Sequence, residues 1–145
     1  MEQGSFPHPG PTPEPSIFAR WLRPHRARVA LNGRQVQIEW SRAAQKALAR
    51  RSSPLTLELE LYFSCLVKKF VHVHDAVPDR ETVVVNEHLR VFFRPVTSTA
   101  CSMERAERLG RQPEVELESF VARRMAPRRV WLDHRRGAWR AEFWL

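Results

Sequence analysis

Residues 55–93 read LTLELELYFSCLVKKFVHVHDAVPDRETVVVNEHLRVFF, and the periodicity of this stretch sets the expected fold. Apolar side chains take every second position at Leu55, Leu57, Leu59, Leu61, Phe63, Cys65 and Val67, then again at Val71 and Val73, with Lys69 as the only interruption. A period of two marks a strand with one buried face. Val83, Val85, Leu89, Val91 and Phe93 repeat the pattern, interrupted only at Glu87. Asp75 to Glu81, with Pro78, reads as the loop between them. One register aligns Phe63 with Phe93 and Val73 with Val83, and it sets Lys69 opposite Glu87. Opposite charges across a ladder favour that register, and a slip of one residue would turn every side chain over. The expectation is a long antiparallel hairpin, 55–73 against 83–93. Its second face is polar at Thr56, Glu58, Glu60, Tyr62 and Ser64. Further along it is partly apolar, at Leu66, Phe70, His72, Val84 and Phe92.

Shorter hairpins are predicted on either side. Asn32-Gly33 is the preferred dipeptide of a two-residue type I′ turn. It pairs Val29 with Val36, Ala27 with Ile38 and Arg26 with Glu39. At the C-terminus, Arg128 to Leu145 turns near Arg136-Gly137, which puts Asp133 opposite Arg140. Ser41 reads as the N-cap of a helix from Arg42 to Arg51, with Ala44, Ala47 and Leu48 inward and Arg42, Lys46 and Arg50 outward. Further helices are predicted over 102–109 and 113–125, the latter also fitting a strand period at Val115, Leu117 and Val121. The fold class is therefore α+β: a mainly antiparallel sheet of about six strands in three hairpins, with two or three short helices on one face. Residues 1–16, with five prolines, read as a disordered tail, and 17–145 as a single domain.

The net charge of +8 is concentrated in 17–51, which holds nine bases and one acid. A localised basic segment suits an acidic partner such as nucleic acid. Of the 24 bases 21 are Arg, a skew that a GC-rich genome also produces. The longest charge-free hydrophobic run, Leu61 to Val67, is far short of the roughly 20 residues of a membrane helix. With two cysteines and no signal-like start, a cytoplasmic setting is expected.

No Gly-rich phosphate loop, nucleophile elbow, HExxH or paired CxxC occurs. His72 and His74 share a strand face, as metal ligands can, but a site needs further ligands. His88 would lie on the order of 13 Å away along the expected register. Glu58 and Glu60 read as a solvent-face pair that binds arginines of an adjacent strand. Cys65 reads as a buried thiol between Phe63 and Val67, and Cys101 as a thiol at a helix start. No catalytic residue, metal or cofactor is expected. The expected function is a non-catalytic binding or assembly module. It acts through a basic surface (Arg26, Arg28, Arg42, Lys46, Arg50) and through the partly apolar hairpin end (Leu66, Phe70, His72, Val84, Phe92). A protein partner or a homo-oligomer is the first expectation, and nucleic acid the alternative, with arginines interleaving Trp131, Trp139 and Trp144. A small enzyme with a pocket between sheet and helices is the third reading.

Overall fold

The predicted central hairpin does not form as one strand pair. In a computed structural model of the chain, described over residues 23–98 and 114–145, the run 55–73 folds back on itself at Ser64-Cys65-Leu66. The Ser64 backbone N–H and hydroxyl both donate to the Leu66 carbonyl, at 3.3 and 2.8 Å. The products are two strands, β3 (Leu55–Phe63) and β4 (Val67–His74), with Phe63 opposite Val67 and Thr56 opposite His74. Lys69 therefore faces Leu61, and Glu87 lies in the turn between β5 (Val83–Asn86) and β6 (Leu89–Ser98). β5 and β6 are antiparallel, with Val83 opposite Val91 and a register shift between Val84 and Asn86. Cys65, expected in the core, is an exposed free thiol in the β3–β4 turn.

Both flanking hairpins form in the expected register. β1 (His25–Leu31) and β2 (Arg34–Trp40) pair with Val29 opposite Val36 and Arg26 opposite Glu39. Asn32 and Gly33 sit at φ +50° and +78°, the left-handed pair that a type I′ turn requires. β8 (Arg129–Arg135) and β9 (Ala138–Trp144) pair with Asp133 opposite Arg140, around Arg136 and Gly137 at φ +52° and +75°. Helix α1 (Arg42–Ala49) follows β2. The Ser41 hydroxyl caps it, accepting from the Ala44 N–H at 3.0 Å. The expected 113–125 helix is instead a short strand β7 (Glu114–Glu116) and one turn, α2 (Phe120–Arg123), capped by Ser119. The expected 102–109 helix, the 1–16 tail and Cys101 lie outside the described residues.

The expected α+β class is overturned: 57% of the chain described is strand and 11% helix. The strands form two mixed sheets rather than a mainly antiparallel one. The first has the order β1-β2-β8-β9, with β2 and β8 parallel. The second has the order β4-β3-β6-β5, with β3 and β6 parallel and β7 beside the far end of β6. Each sheet is thus two hairpins set side by side. β1 runs beside β5 and β4 beside β9, so the sheets lie over each other as a sandwich. One core joins them. Val36, Ile38, Val130, Leu132 and Phe143 of the first sheet meet Leu55, Leu57, Leu59, Leu61, Leu89, Val91 and Phe93 of the second. Ala44 and Leu48 of α1 complete it. Lys69, the interruption in the alternation, stands at the edge of this core and donates its Nζ to the Phe143 carbonyl at 3.0 Å. Its aliphatic stem can lie along the apolar row while the ammonium reaches the edge. No helix among the described residues is long and apolar enough to cross a membrane.

Candidate functional site

With the inner faces given to the core, the chemistry lies on the two outer faces. On the first sheet, the strand registers set the outward side chains in rows. Arg28, Gln37, Arg129 and Trp144 form one row. Arg26, Glu39, Trp131 and Glu142 form the next. Beyond them Asp133 faces Arg140, followed by Arg135. Five arginines, two tryptophans and three carboxylates thus share one face.

Two of the carboxylates are engaged within that face. Glu39 is 5% exposed; it accepts from Gln37 Nε2 at 2.5 Å and lies 3.5 Å from Arg129 Nε and 4.0 Å from Arg26 Nε. Asp133 accepts from the Ser41 hydroxyl at 2.5 Å, from its neighbour's backbone N–H at 2.8 Å, and from Arg135 Nε at 2.8 Å. The Ser41 bond is the main cause that holds the Asp133 carboxyl below its usual value, against the opposing effect of burial. Among the described residues Arg28 and Arg140 have no ion-pair partner. The Arg129 guanidinium lies 5.3 Å from the centre of the Trp144 ring, and Trp144 is 39% exposed. Trp139 points the other way and meets His134 edge-on at 4.5 Å. A shallow depression of about 270 Å³ beside Trp131 is lined by Pro24, Ser41, Arg42, Ala43, Asp133 and Arg135.

Of the basic residues expected to act together, Arg26 and Arg28 therefore lie on this face and Arg42 at its margin. Lys46 and Arg50 are exposed one and two turns further along α1, about 5 Å per turn. The expected partly apolar surface is brought together only in part, at Phe70 and His72. Leu66 and Phe70 are exposed at the turn and the edge strand β4. Val84 is exposed on β5, at the opposite edge of the sheet. Phe92 is buried, with the Arg80 guanidinium 4.1 Å above its ring. His72 is half-buried, stacks on the Phe70 ring with centroids 6.3 Å apart, and also belongs to a second group.

That group lies on the outer face of the second sheet. Folding 55–73 into β3 and β4 sets Glu58 directly opposite His72 and beside His74. His74 Nε2 is 2.9 Å from Glu58 Oε1; His72 Nε2 is 3.9 Å from Glu58 Oε2 and 3.5 Å from Glu60 Oε2. Arg94, from the parallel neighbour β6, reaches Glu60 Oε1 at 3.3 Å and Glu58 Oε2 at 3.7 Å. The sequence holds both halves of this group, as Glu58/Glu60 and His72/His74. The long-hairpin register kept them apart, and a turn at Ser64–Leu66 is the reading that unites them. The expectation that Glu58 and Glu60 would meet an arginine of an adjacent strand is met by Arg94. Comparison with protein families, with characterised proteins and with solved structures finds no match for this chain.

Proposed function

We propose that the chain is a non-catalytic binding module whose outer face on the first sheet docks a polyanion, with single-stranded nucleic acid fitting best. The observation that carries this is the placement of Trp131 and Trp144 among Arg26, Arg28, Arg129, Arg135 and Arg140 on one sheet face. Unstacked bases stack on aromatic rings at about 1–3 kcal/mol each, whatever their identity. Guanidinium groups bind phosphate in a planar, two-point manner that ammonium groups do not match. Aromatic rings set among arginines on a sheet face favour an open strand, whose bases are free to stack, over a duplex, which is read by an element inserted in its groove.

The test is fluorescence anisotropy of a labelled oligo-dT or oligo-U over rising salt. Affinity should fall linearly on a log–log plot, with a slope of about −0.7 per phosphate contact. The pair Arg28→Ala and Arg140→Ala should weaken binding and flatten that slope. The pair Lys46→Ala and Arg50→Ala on α1 should do neither. No binding at low salt, or an unaltered slope in the Arg28/Arg140 variant, overturns the reading.

A second reading rests on the edge strand β4 and the turn before it, where Leu66, Val67 and Phe70 are 69%, 55% and 42% exposed. A strand at the edge of its sheet that carries exposed apolar side chains suits strand addition by a second copy of the chain. Sedimentation should then give a dimer that Phe70→Asp dissociates. A monomer at all concentrations removes this reading and leaves the first intact.

A further inference from the structure

We propose that Glu58, Glu60 and His72 form a binding site for one divalent transition-metal ion, Zn²⁺ or Mn²⁺, on the outer face of the second sheet. The ligand atoms of these three side chains all lie within 4.8 Å of one another. Metal–ligand bonds of about 2.0–2.2 Å place neighbouring tetrahedral donors roughly 3.4 Å apart. The 3.5 Å and 3.9 Å separations from His72 Nε2 to Glu60 Oε2 and Glu58 Oε2 are near that spacing before any ion draws them in.

The remaining carboxylate oxygens are held from outside. His74 Nε2 lies 2.9 Å from Glu58 Oε1, and Arg94 Nη1 lies 3.3 Å from Glu60 Oε1. Each bond turns the Oε2 of its glutamate toward His72. Outer-shell partners of this kind orient metal-binding carboxylates. Arg94 Nη1 is also 3.7 Å from Glu58 Oε2, so it borders the inner group without filling it.

The group differs from a loose acidic patch in its donors and its burial. It contains an imidazole, and the Glu60 side chain is 2% exposed and Glu58 13%. The ligands stand on two hydrogen-bonded strands, Glu58 directly opposite His72, so the backbone fixes their spacing. His72, 38% exposed, is the solvent side, where an ion enters and a water completes the shell. One nitrogen and two carboxylate donors suit borderline to hard ions rather than thiophilic ones.

The site lies on the opposite sheet from the proposed nucleic-acid face, so either proposal can fail alone. The test is calorimetric titration of the full, untagged chain with ZnCl₂ and, separately, with MnCl₂. One ion per chain should bind in at least one arm, and the arm that binds identifies the ion. Glu58→Gln and His72→Gln should each weaken binding about tenfold or more, and His74→Gln by a comparable factor through Glu58. His88→Gln, in the β5–β6 turn, should have no effect. The ion should raise the thermal midpoint of the wild type but not of His72→Gln, whose circular dichroism should be unchanged. Absence of saturable binding in both arms, or equal affinity in wild type, Glu58→Gln and His72→Gln, overturns the site.

Discussion

Ser41 holds two elements at once. Its Oγ accepts from the Ala44 N–H to cap α1 and donates to Asp133 Oδ1 to tie that helix to β8. Replacing it by alanine removes both bonds, and Ser41→Ala should destabilise the chain by about 1–2 kcal/mol at neutral pH. Part of that cost is pH-dependent, and its sign follows from Asp133. A carboxyl held below its usual value contributes stability above the unfolded-state pKa and loses it as pH falls through the folded one. The Asp133 part of the Ser41→Ala deficit should therefore vanish in acid, while the cap part stays. Urea unfolding at pH 7 and again below about pH 3 should show the gap between the two proteins narrowing; a gap of constant size would mean that Ser41 acts through the cap alone. The serine's role as N-cap was legible from its position before Arg42; its bond to Asp133, 92 residues away, was not.

The elements divide by how local their signal is. Turn chemistry is local, and the Asn32-Gly33 and Arg136-Gly137 hairpins were readable from the dipeptide and the face pattern. Alternation is local too, but it is blind to a tight turn of odd length. Phe63 and Val67 are four apart, so three turn residues leave the parity of 55–73 unbroken, and the run looks like one strand. The supposed Lys69–Glu87 pair was coincidence: Lys69 is a snorkelling edge residue and Glu87 a turn residue. The candidate site shared this fate, because Glu58 and His72 are neighbours only across the unseen turn. The two type I′ turns also differ usefully. Arg136 adopts φ +52°, which costs most L-residues about 1 kcal/mol and asparagine less. Arg136→Asn should raise stability by about 0.5 kcal/mol, read as a higher urea midpoint at constant m. A lower midpoint would mean that the arginine side chain supplies more than the turn strain removes.

At the scale of the molecule, each sheet joins two hairpins through a parallel central pair, β2 with β8 and β3 with β6. Those joins link residues roughly 30 to 90 positions apart. Hairpin periodicity carries no information about them, which is why a two-sheet sandwich read as one antiparallel sheet. The long-hairpin fold and the sandwich assign different burial to the same run. Leu57 is fully buried between the sheets, whereas Leu66 is 69% exposed at a turn. Leu57→Ala should cost about 2–5 kcal/mol and Leu66→Ala less than about 0.5 kcal/mol by denaturant unfolding. Comparable costs at the two positions would contradict the turn at Ser64–Leu66. The outer faces are what this topology leaves for function, and the basic, tryptophan-bearing one is the proposed docking face. Photo-cross-linking of a thio-uridine oligonucleotide to the chain, with the adducts mapped by mass spectrometry, examines that face directly. The adducts are expected on peptides carrying Trp131 and Trp144 of β8 and β9; adducts confined to α1 or to the second sheet, or none at all, would contradict it.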